Sequence, residues 1–251
     1  LIMSRKIIKE FNKFSKSKIF LIESHGKLFV EKKFFISRNV KQLKSLSSNF
    51  KVPKILNVKK NSFEMEYIHG LDMASYLNDN DAKPLAAFIE KTLNKLSKQK
   101  KLGIKDYKET YVSFLKTIKF YGDLPFTAGQ LIKKLPRFLP QSQYHGDLTL
   151  ENIIYSKKFF YLIDCSEGIF DSFIFDYSKL RQDIELKWFL RKRKAYFEVK
   201  LKYIYDHLKK TFKYMDNNPL LILMLLRVLK HTKKNSFEYN FLISNINQLW
   251  K

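Results

Sequence analysis

Tyr144-His145-Gly146-Asp147-Leu148-Thr149-Leu150-Glu151-Asn152-Ile153-Ile154, followed by Tyr161-Leu162-Ile163-Asp164, is the stretch whose reading decides the fold. Ile153-Ile154-Tyr155 and Phe160-Tyr161-Leu162-Ile163 are short runs of β-branched and aromatic residues around Ser156-Lys157-Lys158, and they predict a hairpin. Such a hairpin carries Asn152 and Asp164 at neighbouring ends, where both face one position. Gly146 permits a tight backbone between His145 and Asp147. Two carboxylates, a carboxamide and an imidazole are thereby gathered between apolar strands.

That set suits magnesium and a phosphoryl group. Phosphoryl transfer needs metal ions on phosphate oxygens, a cation on the phosphates, and a carboxylate that orients the attacking hydroxyl. Asp147 is the candidate for the last role. Asn152 and Asp164 are the candidate Mg2+ ligands, the carboxamide adding no further charge beside Asp147. His145 belongs to the same catalytic loop, bracing it by packing and hydrogen bonding in preference to acting as acid or base. The chemistry points to an ATP-dependent phosphotransferase with an alcohol acceptor.

Upstream, residues from about Lys18 to Tyr67 read as a β-rich module with one helix. Ile19-Phe20-Leu21-Ile22 and Leu28-Phe29-Val30 flank a turn at Ser24-His25-Gly26. Ser37 is the expected cap of a helix through Val40, Leu43 and Leu46. A strand from Val52-Pro53 through Ile55-Leu56 pairs with residues 62–67 across Lys59-Lys60-Asn61. From Gly70 onward the periodicity is helical. Leu85, Phe88, Ile89, Leu93 and Leu96 form one stripe, and Tyr107, Tyr111, Phe114, Leu115 and Ile118 another. Further helices are expected over about 173–190, 195–212, 220–231 and 237–250. Asp171 is expected to cap the first of these.

His145-Gly146-Asp147-Leu148 with Asn152, then Ile163-Asp164, resembles the catalytic and metal-binding segments of the aminoglycoside phosphotransferase and choline kinase group, which has the protein-kinase-like fold. The resemblance implies an α+β, two-lobed chain: a small antiparallel-sheet lobe with one main helix over residues 1–68, and a larger, mainly helical lobe over 69–251. Phe29-Val30-Glu31-Lys32 resembles the strand bearing the phosphate-binding lysine, and Met65-Glu66-Tyr67-Ile68-His69-Gly70 the hinge between lobes. It implies that Lys32 contacts the α- and β-phosphates, Lys33 being the competing choice, although Val30 and Lys32 share a strand face. The Glu66 and Ile68 backbones, beside Met65, would meet the adenine edge, and Ser24-His25-Gly26 would stand in for a phosphate loop. Asp176 resembles the aspartate that hydrogen-bonds the catalytic-loop backbone. Helices beyond about Gln182 carry no matching motif.

Several positions depart from the pattern. Ser24-His25-Gly26 holds one glycine where protein kinases have several. Asn39 and Lys41 fall near the place of the glutamate that pairs the phosphate-binding lysine, which leaves the partner of Lys32 open. Cys165 follows the metal aspartate as a small apolar residue suited to packing. Thr149 stands where serine/threonine kinases place a lysine, and Asp164 reaches Asp176 with no room for a long activation segment. These features favour a small-molecule or glycan hydroxyl acceptor over a protein.

Length and composition agree with a folded enzyme. In 251 residues, 45% are hydrophobic, and 7 Gly and 6 Pro offer few breaks. A single cysteine rules out an intrachain disulfide and fits a reducing, cytoplasmic setting. The longest apolar run, at 219–226, is too short to span a bilayer. The net charge of +24 is spread along the chain, with Arg191-Lys192-Arg193-Lys194 its densest point, read as a solvated turn. No specific nucleic acid is expected, while peripheral contact with an anionic surface is compatible with the charge. A polycationic antibiotic fits so basic a chain poorly. The remaining alternatives are a protein kinase, a nucleotide-binding pseudokinase with a regulatory role, and a basic polyanion-binding protein.

Overall fold

The computed structural model describes residues 5–11, 18–34, 36–98, 103–119, 121–212 and 216–251. The amino-terminal lobe is built on the predicted hairpin: Lys18–Ser24 (β2) turns back into Lys27–Lys33 (β3) through His25 and Gly26, both left-handed at φ 51° and 69°. Two positive φ angles match the twist of the flanking strands. Ile55–Val58 (β4) and Ser62–Glu66 (β5) complete the expected set. The sheet also has an edge strand that periodicity did not predict, Lys6–Phe11 (β1), giving the antiparallel order β1-β2-β3-β5-β4. β1 buries no face of its own, with Ile7 58% and Ile8 44% exposed, so its sequence carries no period-two signal.

One face of this sheet receives the single helix, Ile36–Ser47 (α1). Val40, Leu43 and Leu46, at the predicted spacing, join Phe63 and Val52 in a core that continues into the second lobe. Ser37 is not the cap: the helix already includes Ile36, and the Ser37 side chain lies outside the described residues.

The second lobe begins where Leu71–Asp72 (β6) pairs with the predicted motif hairpin, Ile153–Ser156 (β9) and Phe159–Leu162 (β10). Its helices are Met73–Asp79 (α2), Lys83–Lys98 (α3), Lys108–Leu115 (α4), Ala128–Lys134 (α5), Phe173–Ile184 (α6), Glu198–Thr211 (α7), Asn218–Leu229 (α8) and Phe237–Trp250 (α9). A short ribbon of Ile104–Asp106 (β7) and Phe138–Pro140 (β8) was not foreseen. α3, α6 and α7 close one core, while α4, α5, α8 and α9 enclose a second. The apolar run at 219–226 is the buried centre of α8, and no described helix is long and apolar enough to cross a membrane.

Two expected helices are shorter than predicted. The first ends at Ile184, because Lys187 is left-handed (φ 58°) before a 3₁₀ turn at Trp188–Leu190, and the second starts at Glu198 instead of residue 195. Asp171 does not cap α6. Ser172 does, accepting from the Ile174 amide, while Asp171 accepts from Lys105, Tyr107 and Gln141. The basic tetrapeptide is a turn with largely paired charges: Arg191 meets Glu151, Lys192 meets Glu238, and Arg193 makes a bidentate contact with Asp72.

Candidate active site

Helix α6 organises the motif loop. Asp176, Lys179 and Asp183, spaced i, i+3 and i+7, lie on one helical face. Asp176 accepts from the backbone amides of His145, Gly146 and Leu148, as the resemblance implied. Asp183 accepts from the Leu150 amide at 2.6 Å. Between them Lys179 Nζ stands 3.4 Å from Asp147 Oδ1. The loop is therefore held at its amides by the buried side chains of Asp176 and Asp183, and at Asp147 by a buried ammonium.

Asp147 is placed to act as an anion. Burial alone would raise its carboxyl, but Lys179 and then Arg227 outweigh it and hold it below the ordinary aspartate value. Arg227, from α8, also donates through Nη2 to the Gly146 carbonyl at 2.9 Å. Asn152 Nδ2 donates to the Asp147 carbonyl at 2.8 Å and to its Oδ2 at 3.2 Å, which turns Oδ1 of the amide away from Asp147. Lys179 and Arg227 were not found by reading the sequence. Lys179 carried a signal, as a charged residue on the buried face between Asp176 and Asp183, whereas Arg227 at the end of an apolar helix carried none.

The partner of Lys32 is Asp164. Their charged atoms are 2.7 Å apart, and Lys32 is only 6% exposed. Asn39, on α1 where a glutamate was expected, donates instead to the Cys165 carbonyl at 3.2 Å. Gln42 donates to the Tyr144 carbonyl, and Ser45 accepts from Gln143, so α1 is fastened to both segments of the motif by neutral amides. Asp164 itself is left-handed, at φ 56°. That conformation is uncommon for a residue with a side chain, and its occurrence here is the kind of strain that collects at functional sites.

Asn152 and Asp164 are brought together as the hairpin predicted, the Ile163 amide bonding the Asn152 carbonyl at 3.0 Å. Their donor set is two hard oxygens, and burial keeps the neighbouring Cys165 thiol protonated by pushing it up to about 12. Among the described residues no group of three or more His, Cys, Asp or Glu assembles. Magnesium fits such a site, because it uses one or two protein oxygens together with substrate phosphates.

The nucleotide-side residues are split. Val30 pairs with Met65 and Lys32 with Phe63, so Val30, Lys32 and Met65 share the sheet face turned toward α1 and the second lobe. Glu66 and Ile68 follow in the hinge, where Gly70 is pressed so close to β9 that an added Cβ would sit 2.3 Å from the Tyr155 carbonyl oxygen. Ser24, His25 and Gly26 do not join them. From Gly26 to Lys32 the extended strand covers roughly 20 Å, and the tip lies beyond Phe29, which pairs with Glu66. The strand that adjoins Lys32 and Lys33 is the start of β2, reached from β1 through residues 12–17, which lie outside the described residues.

His145 has no accessible surface, its Nδ1 accepts from the Asp147 amide, and burial pushes the imidazole down to about 4. It is a neutral brace. Because its folded value lies below the unfolded value of 6.5, the unfolded chain binds more protons between those values, so stability is lost as pH falls through that window. The loss is roughly 3 kcal/mol. Asp176, pushed up to about 7 by burial, contributes the opposite slope. The stability of wild type relative to His145→Gln isolates the histidine: that difference is expected to fall by about 3 kcal/mol from pH 6.5 to 4. A pH-independent difference in urea titrations contradicts a buried neutral imidazole.

No protein-family model and no curated protein matches this sequence. Solved structures do match its fold over nearly the whole chain. A thermostable mutant of aminoglycoside phosphotransferase APH(4)-Ia superposes with TM-score 0.68 at 11% identity, covering 98% of this chain and 94% of that one. A putative fructosamine-3-kinase from Haemophilus somnus gives 0.62 at 15%, covering 97% and 92%. Plasmodium vivax ethanolamine kinase gives 0.59 at 12%, covering 99% and 82%. The phosphotransferase has also been solved with ADP and hygromycin B. The expected α+β, two-lobed protein-kinase-like fold is thus the fold observed, and at these identities the likeness is one of fold.

Proposed function

We propose that this chain is an ATP- and Mg2+-dependent phosphotransferase that phosphorylates a hydroxyl of a small molecule, such as a sugar or glycan precursor, by direct in-line transfer. The observation that carries the reading is a pair of contacts, Lys32 to Asp164 and Asn152 to Asp147, joined by the Ile163 amide on the Asn152 carbonyl and lying between a kinase-like sheet and helical lobe. Asp164 and the Asn152 carboxamide oxygen would hold the magnesium ion, which would supply charge neutralisation at the phosphate oxygens. Lys32 binds the α- and β-phosphates, and the Glu66 and Ile68 backbones with Met65 take the adenine. Asp147 orients the hydroxyl and receives its proton as the new oxygen–phosphorus bond forms and the bond to the ADP oxygen breaks.

A small acceptor is favoured by the path from Asp164 to Asp176. Cys165 is bonded to Asn39, Ser166 to His145, and Asp171 to Lys105 and Tyr107, so the segment is tied down along its length and presents no extended platform for a peptide. The test is transfer of labelled phosphate from ATP to sugars, amino alcohols, aminoglycosides and a generic protein substrate, with magnesium and again with a chelator. Transfer to a small hydroxyl compound that the chelator abolishes is the expected result. Transfer to the protein substrate alone, or transfer unaffected by the chelator, contradicts it.

A further inference from the structure

Arg227 and Lys230 stand one turn apart at the end of α8, next to the motif loop. The Arg227 guanidinium, held by the Gly146 carbonyl at 2.9 Å, lies 5.6 Å from the centre of the Phe170 ring. Lys230 Nζ lies 5.2 Å from the centre of the Phe114 ring. The two rings meet edge to face with centroids 5.4 Å apart. Two half-buried cations therefore bracket a single aromatic pair, and the first of them touches the residue adjoining Asp147.

Among the described residues neither cation forms an ion pair with a carboxylate. Burial and then Arg227 depress the Lys230 ammonium, and burial, Lys230 and Arg227 depress His231, so the cluster repels itself. Other half-buried lysines meet an oxygen, as Lys105 does on Asp171 and Lys200 on the Leu77 and Asn80 carbonyls. Asp147 and Asp176 offset part of the Arg227 charge, whereas the Lys230 ammonium, depressed by burial and by Arg227, is costly at partial burial unless an anion arrives. Arg227 retains N–H donors beyond those on the Gly146 carbonyl and Met224 Sδ.

We infer that the acceptor bears an oxyanion, a phosphate or carboxylate, which docks on Arg227 and Lys230 while its hydroxyl is presented to Asp147. The inference rests on the phosphotransferase reading and narrows its acceptor class. Phosphate and carboxylate are the shared chemistry, and matched acceptors separate them. It excludes polycationic acceptors for this chain, since they would meet like charge at the loop that carries the base.

The experiment compares kcat/KM for matched acceptors, a hexose, its 6-phosphate, its uronic acid and its amino derivative, in wild type, Lys230→Ala and Lys230→Glu, with Mg·ATP binding measured in each protein. Expected is a preference of about tenfold or more for an anionic member over the neutral hexose, as charge-assisted hydrogen bonds imply. Lys230→Ala raises KM for that member about tenfold and leaves kcat and ATP binding near wild type, and Lys230→Glu reduces its use further. Preference for neutral or amino acceptors, or an anionic preference that Lys230→Glu leaves intact, overturns the acceptor assignment and leaves the phosphotransferase reading standing. No transfer to any anionic member by a protein that binds Mg·ATP also overturns it. Absence of Mg·ATP binding in wild type overturns the reading beneath it.

Discussion

Asp147→Asn is expected to slow phosphoryl transfer by about 10²–10⁴-fold, the range for removal of a positioned general base. The amide keeps the shape and loses the charge, so ATP binding survives. The same change also reaches the fold, because Lys179 is buried and its nearest carboxylate is Asp147, at 3.4 Å. Deprived of that charge, Lys179 is left with Gln182 at 3.3 Å and the more distant Asp183. Burial already lowers the Lys179 ammonium, and Asp147 opposes this, so neutralising Asp147 lowers it further. The Asp147 side chain is 37% exposed, so solvent screens part of the pair and the loss of stability is put at roughly 1–2 kcal/mol. A double variant, Asp147→Asn with Lys179→Met, is expected to recover that stability but none of the activity. If the two substitutions are additive in urea unfolding, the pair is not coupled and Lys179 does not serve Asp147.

Gly146→Ala is expected to be the most damaging single methyl group in the chain. Gly146 sits at φ 90°, where an L side chain is strained by roughly 1–2 kcal/mol. Its added Cβ would lie 1.9 Å from the Ser166 carbonyl oxygen, which is backbone and has no rotamer to yield. The two loop segments of the motif must part, and with them the hydrogen bond from the Ser166 amide to the His145 carbonyl and the grip of Asp176 on the Gly146 amide. A loss above about 4 kcal/mol follows, with transfer reduced at least about 100-fold by displacement of Asp147. Gly26→Ala separates the two causes. Gly26 is also left-handed, at φ 69°, but nothing lies within 4 Å of its added Cβ, so it should cost only the backbone strain. Equal effects of the two substitutions on chemical denaturation would show that the Ser166 contact does not constrain the loop.

What was legible in the sequence was local. Asn152 and Asp164 could be placed together because a hairpin of four-residue strands joins them, and α1 and α3 because their apolar spacing matches one helical face. Lys32 could be located by strand alternation, but its partner could not, since Asp164 is 132 residues away. The Ser24 to Gly26 turn was read correctly as a hairpin and misplaced as a phosphate contact. The hairpin itself sets Lys32 beside the start of β2, away from the turn, but without β1 in view nothing in the sequence showed that a second connection reaches that end. Asp171 looked like a cap because it precedes a helix, whereas Lys105 and Tyr107, brought over by the β7–β8 ribbon, claim it. Arg227 illustrates the same limit: its contact with Gly146 spans 81 residues, and nothing in α8 marks it.

The central claim is that Asp164, with Lys32 and Asn152, forms a magnesium-nucleotide site. Calorimetric titration of ATP, with and without magnesium, into wild type, Asp164→Ala and Lys32→Ala tests it most directly. Wild type is expected to bind ATP more tightly with magnesium, Asp164→Ala to lose that magnesium dependence, and Lys32→Ala to weaken binding whether or not the metal is present. ATP binding that is absent in wild type, or that keeps its magnesium dependence without Asp164, would contradict the account.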